Sequence, residues 1–241
     1  NGTIDNISYV SSLNGPEYTR NGLGLSNVPE DSIYINPELL MNFNTSVTEV
    51  QGDNNVTSGV TNSNVTLNTS FASPRDSVAS FNGTNATIDI TNSTLNTALG
   101  GQSNFTIAFW FNTTDSGTNA IIDIDRGSGG DYMTIGITSG SLFFTVRITS
   151  IVIDFTTDAT YNDGTWYHAV FQCGTGGNKV FINGTQNSTL TYTNGSPAST
   201  DKIPVVASIE VGSTISATNY YNGYLDNFFF STHLYKIGRA H

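Results

Sequence analysis

The 241-residue sequence predicts an all-β protein in which two antiparallel sheets pack face to face as a β-sandwich. Three observations support this prediction. Short runs rich in β-branched and aromatic residues recur from residue 104 onward, and turn residues separate them. No stretch keeps an apolar i, i+3, i+4, i+7 pattern over three turns, so no substantial helix is expected. The single cysteine, Cys173, excludes a disulfide scaffold.

The predicted strands span residues 105–111, 120–124, 132–137, 142–148, 151–155, 165–172, 179–182, 205–211 and 224–230. Asn183-Gly184 follows one of these strands and is the signature of a two-residue hairpin, in which both turn residues need positive φ. Trp110 and Trp166 are large aromatic residues in apolar runs. Both are therefore expected to fill the core between the sheets.

Composition excludes several classes of protein. Eight Lys+Arg against nineteen Asp+Glu give a net charge of −11, which argues against a nucleic-acid partner because phosphate binding needs clustered cations. Hydrophobic residues make up 37% of the chain, enough for a sizeable core. The apolar runs are far shorter than the roughly 20 residues of a membrane span. No membrane insertion is therefore expected.

The sequence divides into three parts. Residues 1–32 have weak strand character and are expected to be a linker or the tail of a preceding module, whereas residues 33–236 form the predicted sandwich. The chain starts at Asn1, without an initiator methionine or a signal peptide, and is expected to be part of a larger polypeptide or assembly. Residues 237–241 correspond to a translation of ATC GGA AGA GCA CAC, a common sequencing-adapter stretch. We therefore expect this tail to be non-native.

Asn-x-Ser/Thr sequons are abundant, at about twice the number that the composition predicts by chance. The fourteen sequon asparagines are Asn1, Asn6, Asn44, Asn55, Asn64, Asn68, Asn82, Asn85, Asn92, Asn104, Asn112, Asn183, Asn187 and Asn194. Two interpretations stay open. The asparagines carry glycans on an extracellular surface, or exposed strand edges alternate Asn and Thr for solubility without any glycan.

Six segments appear in an order that resembles a known family: VASFNG at 78–83, FTIAFW at 105–110, DGTWYHAV at 163–170, FING at 181–184, VG at 211–212 and GYLDNFFF at 223–230. From about residue 76 to residue 235, the chain resembles the laminin-G-like, concanavalin A-like jelly roll, particularly its three-element bacterial, archaeal and viral variety. The resemblance implies a two-sheet antiparallel jelly roll. It places the first strand of the domain at residues 39–44.

The resembled family includes glucanases whose catalytic strand reads Glu-x-Asp-x-x-Glu. The nearest match here places Asp123 at the first position, Asp125 at the second and Ser128 at the third, so both glutamates are missing. Since retaining hydrolysis needs a nucleophile and an acid/base, the chain is not expected to be an enzyme. His168 lies within an apolar strand and is expected to be a structural histidine.

The resemblance also implies a possible cofactor. Relatives often hold Ca²⁺ between the start of the domain and the aspartate of the closing strand. The corresponding residues are Asp226, together with Asn42, Asn44 or Asp53. Hard oxygen ligands of this kind suit Ca²⁺. The alternative is that Asp226 only hydrogen-bonds backbone amides.

Two clusters of turn residues are candidates for ligand binding. Tyr220, Tyr221 and Asn222 form one cluster, and Tyr161 and Asp163 belong to the other. A tyrosine in a turn without a packing role can stack on the apolar face of a sugar ring. The alternative is that these residues cap the edge of the sandwich.

These observations lead to one function prediction and two alternatives. The chain is predicted to be a non-catalytic recognition module of an extracellular, cell-surface or virion-surface protein, with a glycan or glycoprotein as its partner. The first alternative is a structural display domain of a virion fibre, capsid appendage or microbial surface layer. The second alternative is a degenerate or divergent glucanase.

Overall fold

The computed structural model describes residues 3–4, 37–43, 45–48, 50, 56, 58–70, 77–125 and 130–237. These residues include one short helix, α1 (Ser93–Leu99). In chain order the strands are β1 (Thr3–Ile4), β2 (Leu39–Met41), β3 (Val60–Ser63), β4 (Thr66–Asn68), β5 (Val78–Asn82), β6 (Thr87–Ile90), β7 (Phe105–Asn112), β8 (Asn119–Asp125), β9 (Tyr132–Thr138), β10 (Ser141–Ile148), β11 (Ser150–Thr160), β12 (Tyr167–Gly174), β13 (Gly177–Ile182), β14 (Thr185–Asn187), β15 (Leu190–Asn194), β16 (Ser208–Val211), β17 (Asn222–Ser231) and β18 (Lys236–Ile237).

Two large sheets form a sandwich. The first sheet has the strand order β15-β11-β10-β9-β8-β16-β6-β3, and the second has the order β14-β13-β12-β7-β17-β5-β4, with β2 also paired to β17. All these pairings are antiparallel, whereas β1 and β18 form a separate parallel pair. The two-sheet antiparallel β-sandwich predicted from the sequence is confirmed.

Phenylalanines fill much of the space between the sheets. In β7, Phe105, Phe109 and Phe111 point inward and belong to the buried core cluster, as Ile107 does. Their rings meet aromatic side chains of other strands; for example, the Phe109 and Phe171 ring centroids lie 6.2 Å apart. Because successive side chains of a strand point to opposite faces, the residues between them point away from this core.

The expectation that Trp110 and Trp166 fill the core is wrong, because neither belongs to the core cluster. Trp110 lies on the outer face of the second sheet, out of phase with the inward phenylalanines of β7, and its ring centroid is 5.0 Å from that of His168. Trp166 precedes β12 and its ring centroid is 6.4 Å from that of Tyr224. Both indoles are half-buried.

The short helix was not expected from the sequence. Asn92 caps it, since its side-chain oxygen accepts hydrogen bonds from the amides of Thr94 and Leu95. Leu95 and Leu99 are four residues apart and both are buried. The helix spans only seven residues, too few for the three-turn apolar pattern that sequence analysis requires.

The predicted hairpin is confirmed between β13 and β14. Ile182 pairs with Thr185, which leaves Asn183 and Gly184 as the two turn residues. Their φ values are +49° and +74°, as a two-residue hairpin turn of this type requires.

The first strand of the domain is shorter than expected. The sequence predicted residues 39–44, and the structure has β2 at Leu39–Met41, paired with β17. Apart from residues 3–4, the predicted linker at 1–32 lies outside the described residues, as do residues 238–241 of the predicted tail. Among the described residues, no helix has the length and apolar character needed to cross a membrane.

We expect Phe109→Ala to lower the free energy of unfolding by about 3–5 kcal/mol, because it leaves a cavity in the core. Trp110→Ala should cost less, since the removed indole is half-buried on an outer face. Urea denaturation of the two variants measures both losses. A larger loss for the tryptophan variant would contradict this assignment of the core.

Candidate functional site

The sequence analysis placed Tyr221 among turn residues without a packing role, and the structure contradicts this expectation. Its side chain is fully buried, and its ring meets that of Phe81 edge to face at 5.9 Å. Its hydroxyl donates to the backbone oxygen of Asn112 at 3.0 Å. Burial raises the pKa of Tyr221 well above its ordinary value. A ligand therefore has no access to this ring.

Tyr161 is also a packing residue, so the corresponding expectation is wrong. It is 8% exposed, and its ring centroid lies 5.0 Å from that of Tyr167. The side-chain amide of Asn187 donates to the hydroxyl of Tyr161 at 3.1 Å. Burial raises the pKa of Tyr161, and the hydrogen bond from Asn187 opposes this effect.

Asp163 is exposed, and its side chain stabilises the turn in which it lies. Its carboxylate accepts a hydrogen bond from the amide of Thr165 at 2.9 Å and another from the hydroxyl of Tyr167 at 3.1 Å. The bond from Thr165 is the main reason why the pKa of Asp163 lies below its ordinary value. Whether Asp163 also contacts a ligand stays a prediction.

The structure brings the two predicted turn clusters to the same end of the sandwich. The hydroxyl of Thr113 donates to the backbone oxygen of Asn222 at 2.6 Å, and the amide of Gly164 donates to the backbone oxygen of Thr113 at 3.0 Å. Asn222 is exposed and Tyr220 is half-buried. Of the three predicted tyrosines, only Tyr220 keeps a solvent-accessible side chain.

The described residues do not complete the predicted calcium site. Asp226 and Asn42 are both buried, and Asn42 directly follows β2, next to β17. One oxygen of Asp226 accepts a hydrogen bond from the side-chain amide of Asn227 at 3.1 Å. The structure describes no cluster of three or more acidic, histidine or cysteine side chains suited to a metal, and Asn44 and Asp53 lie outside the described residues. The calcium site stays a prediction.

Asp123 occupies the first position of the glucanase-like motif and has a structural role. The hydroxyl of Thr134 donates to one carboxylate oxygen, and the amide of Ile215 donates to the other at 3.0 Å. Burial raises the pKa of Asp123, and these two hydrogen bonds oppose the rise. The carboxylate therefore holds the loop at residues 212–220 against the first sheet. Ser128 lies outside the described residues.

Polar side chains form a continuous row across the outer face of the first sheet. They point outward because their strand neighbours, such as Ile122 and Ile135, belong to the core. The strand registers align, in order, Thr61, Asp89, Glu210, Asp123, Thr134, Thr145, Asp154 and Asn194. We call these eight residues the polar row. Sequence analysis did not find it, because its members come from eight different strands or strand ends.

A second row, of aromatic and small residues, runs beside the polar row. Tyr220 bridges to Ala120, Ala120 pairs with Gly136, and Gly136 pairs with Phe143. Tyr220 and Phe143 are half-buried and stand at the two ends. Strand spacing puts their Cα atoms about 14 Å apart. We call these four residues the aromatic row; Ala120 is 1% exposed and Gly136 is buried, so the two aromatic side chains at its ends are its accessible members.

Gly136 allows the ring of Phe143 to lie across the neighbouring strand. A Cβ atom at this position would lie 2.5 Å from Cε1 and 2.6 Å from Cζ of Phe143. The phenyl ring therefore leans across the neighbouring strand and covers the glycine. The outward position of Phe143 was visible in the sequence, because β10 alternates Ser141, Phe143, Thr145 and Arg147 on one face.

Glu210 is the second carboxylate at the centre of the polar row. It pairs directly with Asp123 on one side and with Asp89 on the other. Burial raises the pKa of Glu210, hydrogen bonds from Thr87 and Ser213 oppose the rise, and the negative charges of Asp89 and Asp123 add to it. The row is thus a line of closely spaced hydrogen-bond acceptors, in which Asp123 and Thr134 are buried and the other members are exposed or half-buried.

The sequon asparagines that the structure describes are all exposed or half-buried. Those with exposed side chains are Asn64, Asn82, Asn85, Asn104, Asn183 and Asn194, and those with half-buried side chains are Asn68, Asn92, Asn112 and Asn187. Some already serve the fold: Asn92 caps α1, and the side-chain oxygen of Asn183 accepts from the amide of His168. Whether any carries a glycan stays a prediction.

The order and pairing of the strands define a jelly-roll domain, as the resemblance in the sequence implied. The concanavalin A-like lectin/glucanases superfamily matches residues 82–234. The chain belongs to this superfamily. No curated protein matches the chain.

Solved structures with the same fold include binding domains. The binding domain of botulinum neurotoxin serotype D aligns with a TM-score of 0.58 and 14% identity, over 82% of this chain and 47% of that one. The binding domain of Paraclostridial Mosquitocidal Protein 1 aligns with a TM-score of 0.54 and 15% identity, over 86% and 49%. The chain thus spans about half the length of these toxin domains.

A shorter domain is also similar. It is domain 4 of an extracellular arabinanase from Geobacillus stearothermophilus, solved in complex with arabinotriose. The TM-score is 0.50 at 13% identity, and the alignment covers 71% of this chain and 80% of that one. At this level of identity the similarity shows a shared fold.

We expect Glu210→Gln to stabilise the protein more at neutral pH than at about pH 4. Since burial raises the pKa of Glu210 in the folded state, its contribution to stability is complete below the ordinary pKa and is lost as the pH rises through the folded-state pKa. Glutamine does not ionise, so the variant does not lose this contribution to stability as the pH rises. Thermal melts at both pH values, with Asp201→Asn as a control outside the row, measure the difference. An offset from wild type that is the same at both pH values would contradict the expectation.

Calcium should raise the melting temperature if Asp226 takes part in the predicted site, because an ion that binds only the folded state stabilises it. At a hundredfold excess over Kd the effect is about 2.7 kcal/mol. Asp226→Asn should remove most of this response. Melts in calcium and in EDTA give the result, and identical midpoints for the wild-type protein would leave Asp226 with a structural role alone.

Proposed function

We propose that this chain is a non-catalytic carbohydrate-binding module of a secreted or surface protein. The observation that carries the proposal is the pair of accessible aromatic side chains in the aromatic row, Tyr220 and Phe143, beside the polar row. Tyr220 and Phe143 are half-buried and offer accessible aromatic rings at the two ends of the row. A site of this kind combines apolar contact area with a few polar groups that orient the ligand.

The chemistry of a sugar matches both rows. A pyranose or furanose ring has an apolar face of C–H groups, which packs on an aromatic side chain, and its edge carries hydroxyls. In the polar row, Thr145 and Asp154 are half-buried and lie one strand spacing apart. A sugar whose face rests on Phe143 would present hydroxyls toward these groups.

The comparisons support binding rather than catalysis. The similar structures include toxin binding domains and an arabinanase domain solved with arabinotriose. In this chain Asp123 is 7% exposed, and hydrogen bonds from Thr134 and Ile215 engage both of its carboxylate oxygens. A retaining glycosidase needs an accessible carboxylate as nucleophile. Asp123 is poorly suited to that role.

Phe143→Ala should weaken carbohydrate binding by up to about tenfold, because an aromatic contact contributes about 0.5–1.5 kcal/mol. The wild-type chain and the variant are compared on a glycan array, and the affinity for the strongest neutral glycan is then measured by calorimetry. Phe181→Ala is the matched control, since Phe181 is a half-buried phenylalanine packed on the outer face of the second sheet. Its variant should bind like wild type.

The same experiment separates the proposal from its alternatives. If the folded wild-type chain binds no glycan on the array, the proposal fails, and self-assembly of a longer chain would then favour a structural display domain. If a bound glycan is cleaved and Asp123→Ala abolishes the cleavage, the chain is a divergent glucanase. Binding that depends on Phe181 and not on Phe143 would move the site to the second sheet.

A further inference from the structure

We infer that the sequon asparagines at the ends of the four edge strands, Asn64, Asn68, Asn187 and Asn194, are glycosylation sites, and that their glycans keep the sheet edges from pairing with other copies of the chain. This inference goes beyond carbohydrate binding and does not depend on it. Three features support it: the positions of these asparagines, the composition of the edge strands and the accessibility of the side-chain amides.

A sequon asparagine stands at the end of every edge strand of the two described sheets. β3 and β15 are the outermost strands of the first sheet, and β4 and β14 are those of the second. β4, β14 and β15 end at Asn68, Asn187 and Asn194, and Asn64 directly follows β3. Most interior strands, such as β8, β9, β10 and β11, have no sequon at this place.

The four asparagines lie on both sides of the sandwich. On one side β3 of the first sheet continues into β4 of the second, and on the other side β14 of the second sheet continues into β15 of the first. Asn64 and Asn187 stand at these two connections, whereas Asn68 and Asn194 stand at the far ends of β4 and β15. Glycans at the four positions would therefore lie along both edges of each sheet.

The edge strands lack most of the residues that commonly prevent pairing at an edge. A strand at the edge of a sheet has unpaired backbone N–H and C=O groups along one side, and natural proteins protect such edges with charged residues, with proline or by keeping the strand short. β3, β4, β14 and β15 contain no charged residue and no proline. β15 is the longest of the four, with five residues, so it has the greatest need of another form of protection.

A glycan provides such protection by its size. An added strand has to lie about 4.8 Å from the edge strand over several residues, and a glycan on asparagine is bulky and strongly hydrated. The net charge of −11 also repels a second copy of the chain, but physiological salt screens exposed charges beyond about 8 Å. The steric effect of a glycan does not weaken with salt.

Two of the four side-chain amides have their nitrogen available. Asn194 is exposed, and within the described part of the chain no hydrogen bond engages its side chain. The side-chain oxygen of Asn68 accepts from the amide of Ser70 at 2.9 Å, and its Nδ2 has no partner among the described residues. A glycan on either nitrogen therefore breaks no contact of the fold.

The other two asparagines each use one hydrogen of the side-chain amide. Nδ2 of Asn64 donates to the backbone oxygen of Asn85 at 3.2 Å, and Nδ2 of Asn187 donates to the hydroxyl of Tyr161 at 3.1 Å. An asparagine amide carries two hydrogens, and glycosylation replaces one of them. The remaining hydrogen keeps each of these bonds possible in the glycosylated chain.

The modification is the transfer of an oligosaccharide from a lipid-linked diphosphate donor. Nδ2 of the asparagine forms a bond to C1 of the first sugar, and the bond between C1 and the phosphate oxygen breaks. The lipid diphosphate leaves, and Nδ2 loses one proton. The acceptor sequence also needs the serine or threonine two positions later. In the four sequons this residue is exposed in every case: Thr66, Ser70, Thr189 and Ser196.

The first experiment measures which sites carry glycans. The full chain is produced in a host that secretes and N-glycosylates proteins, and mass spectrometry of glycopeptides gives the occupancy of each site. We expect glycans at the four edge sites. Asn194→Gln and Ser196→Ala should each remove the glycan at the end of β15, whereas Ser196→Thr keeps the sequon and should keep the glycan.

The second experiment measures self-association by light scattering at high salt, where repulsion between the acidic copies is screened. One variant removes all four edge sequons and keeps the asparagines: Thr66→Ala, Ser70→Ala, Thr189→Ala and Ser196→Ala. It should associate at concentrations about tenfold lower than the wild-type glycoprotein, or lower still, because its edges are open to pairing. Thr84→Ala is the matched control. It removes the sequon of Asn82, at the end of the interior strand β5, and should behave like wild type.

A third measurement separates shielding from folding. An endoglycosidase shortens the glycans on the folded wild-type glycoprotein to a single sugar, and the treated protein should associate more strongly than the untreated one. Thermal melts show whether each protein is folded. If the four-site variant does not fold, the treated glycoprotein gives the result in its place.

Three outcomes would overturn the inference. The first is a folded chain whose edge sites stay largely unoccupied, in which case the asparagines serve solubility alone. The second is occupied edge sites whose loss, by substitution or by enzyme, leaves self-association unchanged. The third is a Thr84→Ala variant that associates as strongly as the four-site variant, because the effect would then not be specific to the edges. The glycan array tests carbohydrate binding separately, so each proposal can fail without the other.

Discussion

Both the fold and the aromatic row depend on the alternation of side chains along strands whose inner faces fill a phenylalanine-rich core. In β10, Phe144 belongs to the core while Phe143, the next residue back, stands on the outer face. A slip of one residue in register would exchange the two faces of a strand. The burial of the core therefore determines which aromatic rings solvent can reach.

The loop at residues 212–220 links the packing of the core to the position of Tyr220. Tyr220 and Tyr221 are consecutive, yet the first is half-buried beside the outer face and the second is fully buried in the core. Backbone hydrogen bonds hold the loop to β8, with the amide of Ala120 donating to Asn219 at 2.8 Å, and the carboxylate of Asp123 accepts from the amide of Ile215 at 3.0 Å. The position of Tyr220, at one end of the aromatic row, thus depends on the buried carboxylate of Asp123 on the same sheet.

The carboxylates of the polar row are partly or fully buried, and this burial costs electrostatic free energy. Burial raises the pKa of both Asp123 and Glu210, and neighbouring carboxylates add to the rise. Hydroxyls from Thr134 and Ser213 donate to these acids and offset part of the penalty. Unfavourable features such as buried carboxylates, in an otherwise well-packed fold, tend to occur at functional sites. This tendency agrees with a role for the row in ligand recognition.

The sequence by itself determined the fold class, most of the strands and the hairpin at Asn183 and Gly184, because period-two patterns and turn residues act over a few neighbouring positions. Tertiary structure alone decided which aromatic side chains are accessible. Trp110 lies outside the core and Tyr221 inside it. Whether such a side chain is accessible depends on the face of the sheet on which it lies and on whether the other sheet covers that face. The aromatic row and the polar row likewise needed the strand order, because their residues lie far apart in the sequence and meet only through the pairing of neighbouring strands.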